Sequence, residues 1–346
     1  MFGGGKLANK GKLVISLDLE LNWGVFDVYS TEYYRGNLLG AREIVPILLE
    51  KFQSQHIHAT WGIVGFLFFS NKQDLLKEIP KVQPQYKDLS ISSYEQIKHI
   101  GNNELEDPIH FGSGIIEQIQ DTPYQEIATH TFSHYYTLAK GQCQAEFQAD
   151  LEKALEIAER KGISVKTIIF PRNQLNAEYL TESRQFGLIA YRGCENHWLY
   201  RIHGEREGLF KRLIRLLDSY VNISGNHVYT TDALQSPFGL VNIPSSKFLR
   251  PYSRRLRLLE PLKLRRIMVG MTEAAKEGKV FHLWWHPHNF GARQRESIQQ
   301  LDILLNHFQL LRERYGMESY SMKELGEMVL NDTKCGVSSG SIYKEA

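Results

Sequence analysis

Four short runs gather the residue types that move protons and hold metal ions. Asp18-Leu19-Glu20 closes one apolar run, and His130-Thr131-Phe132-Ser133-His134 closes a second. Pro171-Arg172-Asn173 closes a third, and His286-Pro287-His288-Asn289 a fourth. Asp18 and Glu20 are two apart, so on an extended chain both carboxylates leave the same side while Leu19 faces the packing. One can ligate a metal while the other handles a proton, and the spacing leaves open which does which. The plainer alternative is a solvated strand end, but an acid straight after an apolar run is costly without a partner. His130 and His134 are four apart, and a helical turn after the strand would bring both rings to one side to share an ion. That pattern alone is a weak signal. With a carboxylate at the end of another strand, it becomes two imidazoles and an acid with a position open for water. His286 follows the apolar residues 280–285 and suits a general acid, since an imidazole titrates near neutral pH. His288 competes for the role, and His282, inside the run, reads as structural.

The elements that must position these groups are legible as alternating patterns. Residues 13–17, 57–64, 125–129, 165–170, 188–191, 240–243 and 280–285 read as strands. Helical periodicity covers 41–55, 145–161, 177–186, 261–276 and 297–314, with weaker stretches at 111–120, 210–220 and 321–330. Strands alternating with helices predict an α/β fold with a parallel sheet, here a (β/α) barrel of seven or eight units. In such a barrel the active site lies at the carboxyl ends of the strands, where the four runs fall. Residues 1–12 are expected to be a flexible start and 331–346 a flexible tail. Residues 195–236 are a long polar and basic insertion within a single barrel spanning 13–330.

Composition removes other classes. Among 346 residues, 41 are basic and 39 acidic, so a net charge of +2 gives no footprint for nucleic acid. The three cysteines, Cys143, Cys194 and Cys335, form no close pair, which argues against a zinc ribbon and for a reducing compartment. No apolar run approaches the roughly 20 residues of a membrane helix, and no apolar leader opens the chain, so a cytoplasmic protein is expected. No glycine-rich phosphate loop follows a strand.

Together the runs resemble the NodB-homology polysaccharide deacetylases, carbohydrate esterase family 4, over about residues 13–330. Residues 126–134, Glu-Ile-Ala-Thr-His-Thr-Phe-Ser-His, look like that family's metal motif. Asp18-Leu19-Glu20 resembles its first motif and residues 283–286 its last. The resemblance implies a distorted (β/α) barrel and a hydrolase that removes an N-acetyl group from a sugar or polysaccharide precursor. Glu20, His130 and His134 would hold a divalent metal, most simply zinc. Asp18 would act as base on the metal-bound water and His286 as acid, with the Asp18 and Glu20 roles open to exchange. Arg172 would orient the base, and a backbone N–H near Arg172 and Asn173 would face the oxyanion. Three departures stand out: Leu19 separates the two acids, Arg172 is displaced relative to its proline, and the 195–236 insertion is extra. Asn173, Trp198 and His288 are candidate sugar contacts.

Residues 247–266 hold eight basic side chains (Lys247, Arg250, Arg254, Arg255, Arg257, Lys263, Arg265 and Arg266) and one acid, Glu260. The stretch reads either as a solvated helical face or as a peripheral contact with an anionic membrane or a lipid-linked substrate. The alternative functions are a deformylase or other amidohydrolase on a non-acetyl linear amide, and a non-catalytic carbohydrate-binding relative.

Overall fold

The computed structural model describes residues 9–202 and 208–339, with side chains through Asp332. The expected flexible start lies mostly outside the described residues, as do 340–346 of the expected tail. Nine strands form one sheet, and every strand pairing in it is parallel. They are β1 (Lys12–Leu19), β2 (Ala59–Ile63), β3 (Gln125–Thr129), β4 (Thr167–Ile168), β5 (Ala190–Gly193), β6 (Val241–Pro244), β7 (Lys247–Phe248), β8 (Val280–Trp285) and β9 (Glu318–Tyr320). Their order is β6-β5-β4-β3-β2-β1-β8-β7, with β9 on β1. β6 pairs with β5, and two residues later β7 pairs with β8. The curled sheet therefore closes along one segment, residues 241–248, as a distorted (β/α) barrel. β7 and β9 escape sequence reading because two or three residues are too short for a period to show.

The helices are α1 (Thr31–Ser54), α2 (Ser113–Asp121), α3 (Gln144–Arg160), α4 (Ala177–Gln185), α5 (Leu209–Asp218), α6 (Glu260–Glu277), α7 (Gln294–Tyr315) and α8 (Met322–Ser339). α1 begins where the Ser30 side chain accepts from the Tyr33 amide, satisfying a donor the first turn cannot. The connection from β2 to β3 holds further short helical turns and is tied down by Arg42, which donates to the Pro108 and Phe111 carbonyls and pairs with Glu104.

β1 is buried along its length, as a central parallel strand covered on both faces must be. Leu13, Ile15, Leu17 and Leu19 share one apolar cluster with Ile44, Leu48 and Phe52 of α1 and with Leu304 and Phe308 of α7. The alternate residues Val14, Ser16 and Asp18 therefore face the barrel interior. Val14 meets Ala190, Val241 and Val280, all near strand starts, together with Met322, Leu325 and Val329 of α8. α8 thus plugs the end of the barrel opposite Asp18. The chain stays helical to Ser339, past residue 331 where the tail was expected to begin.

The basic stretch does not form one face. Lys247 is buried against Asp218 at 2.9 Å, Lys263 pairs with Glu260 at 2.6 Å, and Arg266 is buried near Asp218 at 3.8 Å. Only Arg254, Arg255, Arg257 and Arg265 are exposed. Membrane contact through residues 247–266 as a whole loses its basis, because three of the eight cations serve as internal counter-charges and Arg250 is half-buried. No helix among the described residues is long and apolar enough to cross a membrane.

α1 lies close against the turn after β8. A Cβ added at Gly40 would stand 2.4 Å from the Gly291 carbonyl oxygen and 2.5 Å from its Cα. Gly40→Val should therefore destabilise the fold by about 1–3 kcal/mol, the usual cost of overpacking, read as a lower urea midpoint at unchanged slope.

Candidate active site

Five strand ends deliver the site. Asp18 sits near the end of β1 and Glu20 just beyond it, so both carboxylates emerge from the barrel interior. β3 delivers His130 and the turn to His134, the segment after β4 delivers Arg172 and Asn173, β5 carries Arg192, and His286 directly follows β8.

Glu20 is the hub. Its Oε2 lies 3.0 Å from His134 Nε2 and 3.4 Å from His130 Nε2, and its Oε1 lies 3.5 Å from His286 Nε2 and 4.0 Å from His288 Nε2. All but the half-exposed His286 are buried. His130 Nδ1 donates to the Ile169 carbonyl at 2.8 Å, which leaves a lone pair on Nε2 pointing at Glu20 with no hydrogen-bond partner. Two acceptors facing each other in a buried space call for a cation between them. Burial alone would raise the Glu20 carboxyl, but the surrounding imidazoles outweigh it and hold it well below its usual value. Burial lowers His134 despite the pull of Glu20. An ionised acid and a neutral imidazole are the states in which such groups bind metal. One donor atom each from Glu20, His130 and His134 fall within 4.8 Å of one another. The donor set and the orphaned Nε2 thus fit a divalent ion of the zinc type.

The two histidines meet without the expected helical turn. Residues 131–134 form an irregular turn with positive φ at Thr131 (63°) and His134 (60°). Asp150 of α3 holds it: Oδ1 accepts from the Phe132 amide at 2.7 Å, and Oδ2 accepts from the Ser133 amide at 3.1 Å and from the Ser133 hydroxyl. Burial pushes Asp150 up to about 6 against these donors. Leu21, Arg172 and Asn173 also take positive φ, so five of the eight such non-glycine residues among those described flank the site. Strain of this kind costs about 1–3 kcal/mol per residue and collects at functional sites.

Asp18 belongs to a different partner. Arg192 donates to both its oxygens, at 2.6 and 2.7 Å, and to the Asn173 side-chain oxygen at 2.8 Å. Burial alone would raise the Asp18 carboxyl, but Arg192 outweighs it and the group stays ionised. Arg192 is itself sandwiched by Trp284, whose ring lies 4.2 Å away, and donates to Ser16 at 3.2 Å. His282 completes the support through Ser16 at 2.8 Å, which fits its structural reading.

Several expectations need correction. Arg172 does not reach Asp18, because its left-handed turn sends it to Asp27 at 2.6 Å and over the Tyr136 ring at 4.4 Å. Arg192 holds Asp18 instead. Sequence reading missed it by ending β5 two residues early. Asn173 spends its side-chain oxygen on Arg192 and its amide on the Phe170 carbonyl, so that amide is not free for an oxyanion. Trp198 is 52% exposed and does not line the cavity. His288 does line it, stacked 4.8 Å from His286, but burial presses it down to about 3. A residue so held is neutral and a poor proton donor, whereas His286 reaches both carboxylates, with Asp18 Oδ2 at 3.6 Å. Asp150 was also missed. Its signal was an acid in the middle of the apolar face that Phe147, Leu151 and Ala154 share at helical spacing.

These groups open into a cavity of about 380 Å³ whose walls include Tyr29, Tyr34, Tyr200, Phe248 and Trp284. The insertion contributes Glu195, Tyr200, Ile202 and Arg215.

Neither a protein-family model nor a curated protein matches the sequence. Solved structures do match. A putative polysaccharide deacetylase from Mycobacterium smegmatis aligns over 95% of this chain and 93% of its own at 13% identity, with a TM-score of 0.58. A probable polysaccharide deacetylase from Pseudomonas aeruginosa PAO1 aligns over 91% and 89% at 10% identity, with a TM-score of 0.54. An α-amylase from Thermotoga maritima aligns over 91% and 74% at 12% identity, with a TM-score of 0.50. The barrel is thus one shared by deacetylase structures and by an α-amylase structure, and a shared barrel does not by itself fix the chemistry.

Arg192→Ala leaves Asp18 buried and uncompensated and should cost about 3–5 kcal/mol in equilibrium unfolding. Arg172→Ala, whose guanidinium is 32% exposed, should cost clearly less.

Proposed function

We propose that this barrel is a metal-dependent hydrolase that removes the acetyl group from an N-acetylated sugar or sugar precursor. The observation that supports it best is the separation of the two acids. Glu20 is gathered with His130 and His134, while Asp18 stands beside them, held ionised by Arg192. The distorted barrel shared with two deacetylase structures agrees with this reading.

In it, Glu20, His130 and His134 would hold the ion, which would supply Lewis-acid polarisation of the amide carbonyl and of the attacking water. Asp18 accepts the proton of that water, oriented for the task by Arg192. His286, within 3.6 Å of Asp18 and 3.5 Å of Glu20, gives a proton to the departing amine. His288 keeps the His286 ring in place by stacking. The aromatic walls suit the apolar faces of a sugar ring and leave its polar edges to a few groups. The unpaired Cys143 and Cys194 fit a reducing compartment such as the cytoplasm.

The test pairs elemental analysis of the purified protein with release of acetate and formate from acetamido and formamido sugars. Wild type should carry about one equivalent of metal and release acetate. His130→Ala should lose both. His286→Ala should keep the metal and lose on the order of 10²–10⁴ in turnover. Metal retained in full by His130→Ala would overturn the ligand assignment. Formate without acetate would move the substrate to formamides, and metal without release of either would leave a sugar-binding protein.

A further inference from the structure

The cavity wall carries a cation that a neutral acetylated sugar does not require. Its outer wall includes Arg172, Arg215 and Arg250. The acids around it are committed: Asp18 to Arg192, Asp27 to Arg172, Asp218 to Lys247, and Glu20 to the imidazoles. Burial pushes the Glu195 carboxyl up, which weakens it as a counter-charge. Arg250 differs from its neighbours. Among the described residues no carboxylate pairs with its guanidinium, which lies half-buried at 5.9 Å from the Phe248 ring. Burial lowers it, and the like charges Arg215 and Arg212 lower it further against the opposing pull of Tyr200 and Tyr220. A guanidinium kept half out of water beside other cations is a standing cost that an anionic ligand removes.

The helix that delivers Arg215 adds a second observation. On α5, Arg215 turns to the cavity while Leu209, Phe210, Leu213 and Leu217 are exposed, by 79, 71, 55 and 49%. They span one apolar arc of the helix, turned away from Arg215 and the cavity. No exposed acid stands among residues 208–223.

We propose that the cavity takes a phosphorylated acetamido sugar, with the phosphate on Arg250 beside Arg215. This rests on the deacetylase reading and narrows its substrate to sugars that carry a phosphate. Two sources supply that chemistry: a soluble sugar phosphate, and a sugar linked through phosphate to a lipid whose chain would lie along α5.

The test measures binding and needs no turnover, so it stands apart from the acetate assay. The metal-loaded full chain is titrated calorimetrically with N-acetylglucosamine and with N-acetylglucosamine 1-phosphate. It is also sedimented with phosphatidylcholine vesicles, plain or doped with a polyprenyl phosphate. The phosphate should improve affinity about tenfold or more, the scale of a charge-assisted contact. Arg250→Gln should erase that gain, so that the two sugars bind with affinities within about threefold of each other. Preferential retention on doped vesicles, lost in Arg250→Gln, supports the lipid source. A preference confined to the soluble phosphate supports the free sugar. Equal affinity for both sugars together with equal retention on both vesicles overturns the proposal, as does a preference that survives in Arg250→Gln. Acetate release from neutral sugars would leave the deacetylase reading standing in either case.

Discussion

Two carboxylates leave the buried end of one central strand, and neither has water to keep it charged. That constraint organises the molecule. Asp18 and Glu20 must each find positive partners inside the barrel, and they find different ones. The guanidinium of Arg192 takes both oxygens of Asp18, so that carboxylate is fixed in place and ionised. Glu20 receives only imidazoles, whose lone pairs leave room for a metal ion. The same residue spacing thus yields two chemically distinct acids, because the barrel brings a fixed cation to one and neutral nitrogen donors to the other.

The rest of the architecture serves that separation. Alternation along β1 sends Val14, Ser16 and Asp18 inward and the leucines outward to α1 and α7. α8 closes the far end. Asp150, reaching from α3, holds the strained turn that swings His134 back over Glu20. Gly24 is part of the same fitting, since a Cβ there would fall 2.0 Å from the Glu20 carboxyl carbon.

Much of this was legible in the residues. The apolar runs ending in Asp18, His130 and His286 marked strand ends, and the two-residue and four-residue spacings pointed to a shared ion. What stayed hidden depends on contacts distant in sequence. Arg192 looks like an ordinary strand residue until β5 is seen to run to Gly193 and to aim it across the barrel at Asp18. Arg172 invited a role that its left-handed backbone forbids. The tie between His286 and His288 is broken only by burial, which a sequence does not record. The cations among residues 247–266 read as one surface because their partners, Asp218 above all, lie elsewhere in the chain.

The closing seam has its own consequence. Residues 241–248 join β5 on one side and β8 on the other, so the barrel is stitched by one thread. Glu20, His130 and His134 follow β1 and β3, bridged by β2, away from that stitch. Arg192 lies on β5 and His286 directly after β8, the two strands it joins. Loosening the seam would therefore let Arg192 and His286 drift while the cluster around Glu20 kept its shape, giving the two halves unequal mechanical independence.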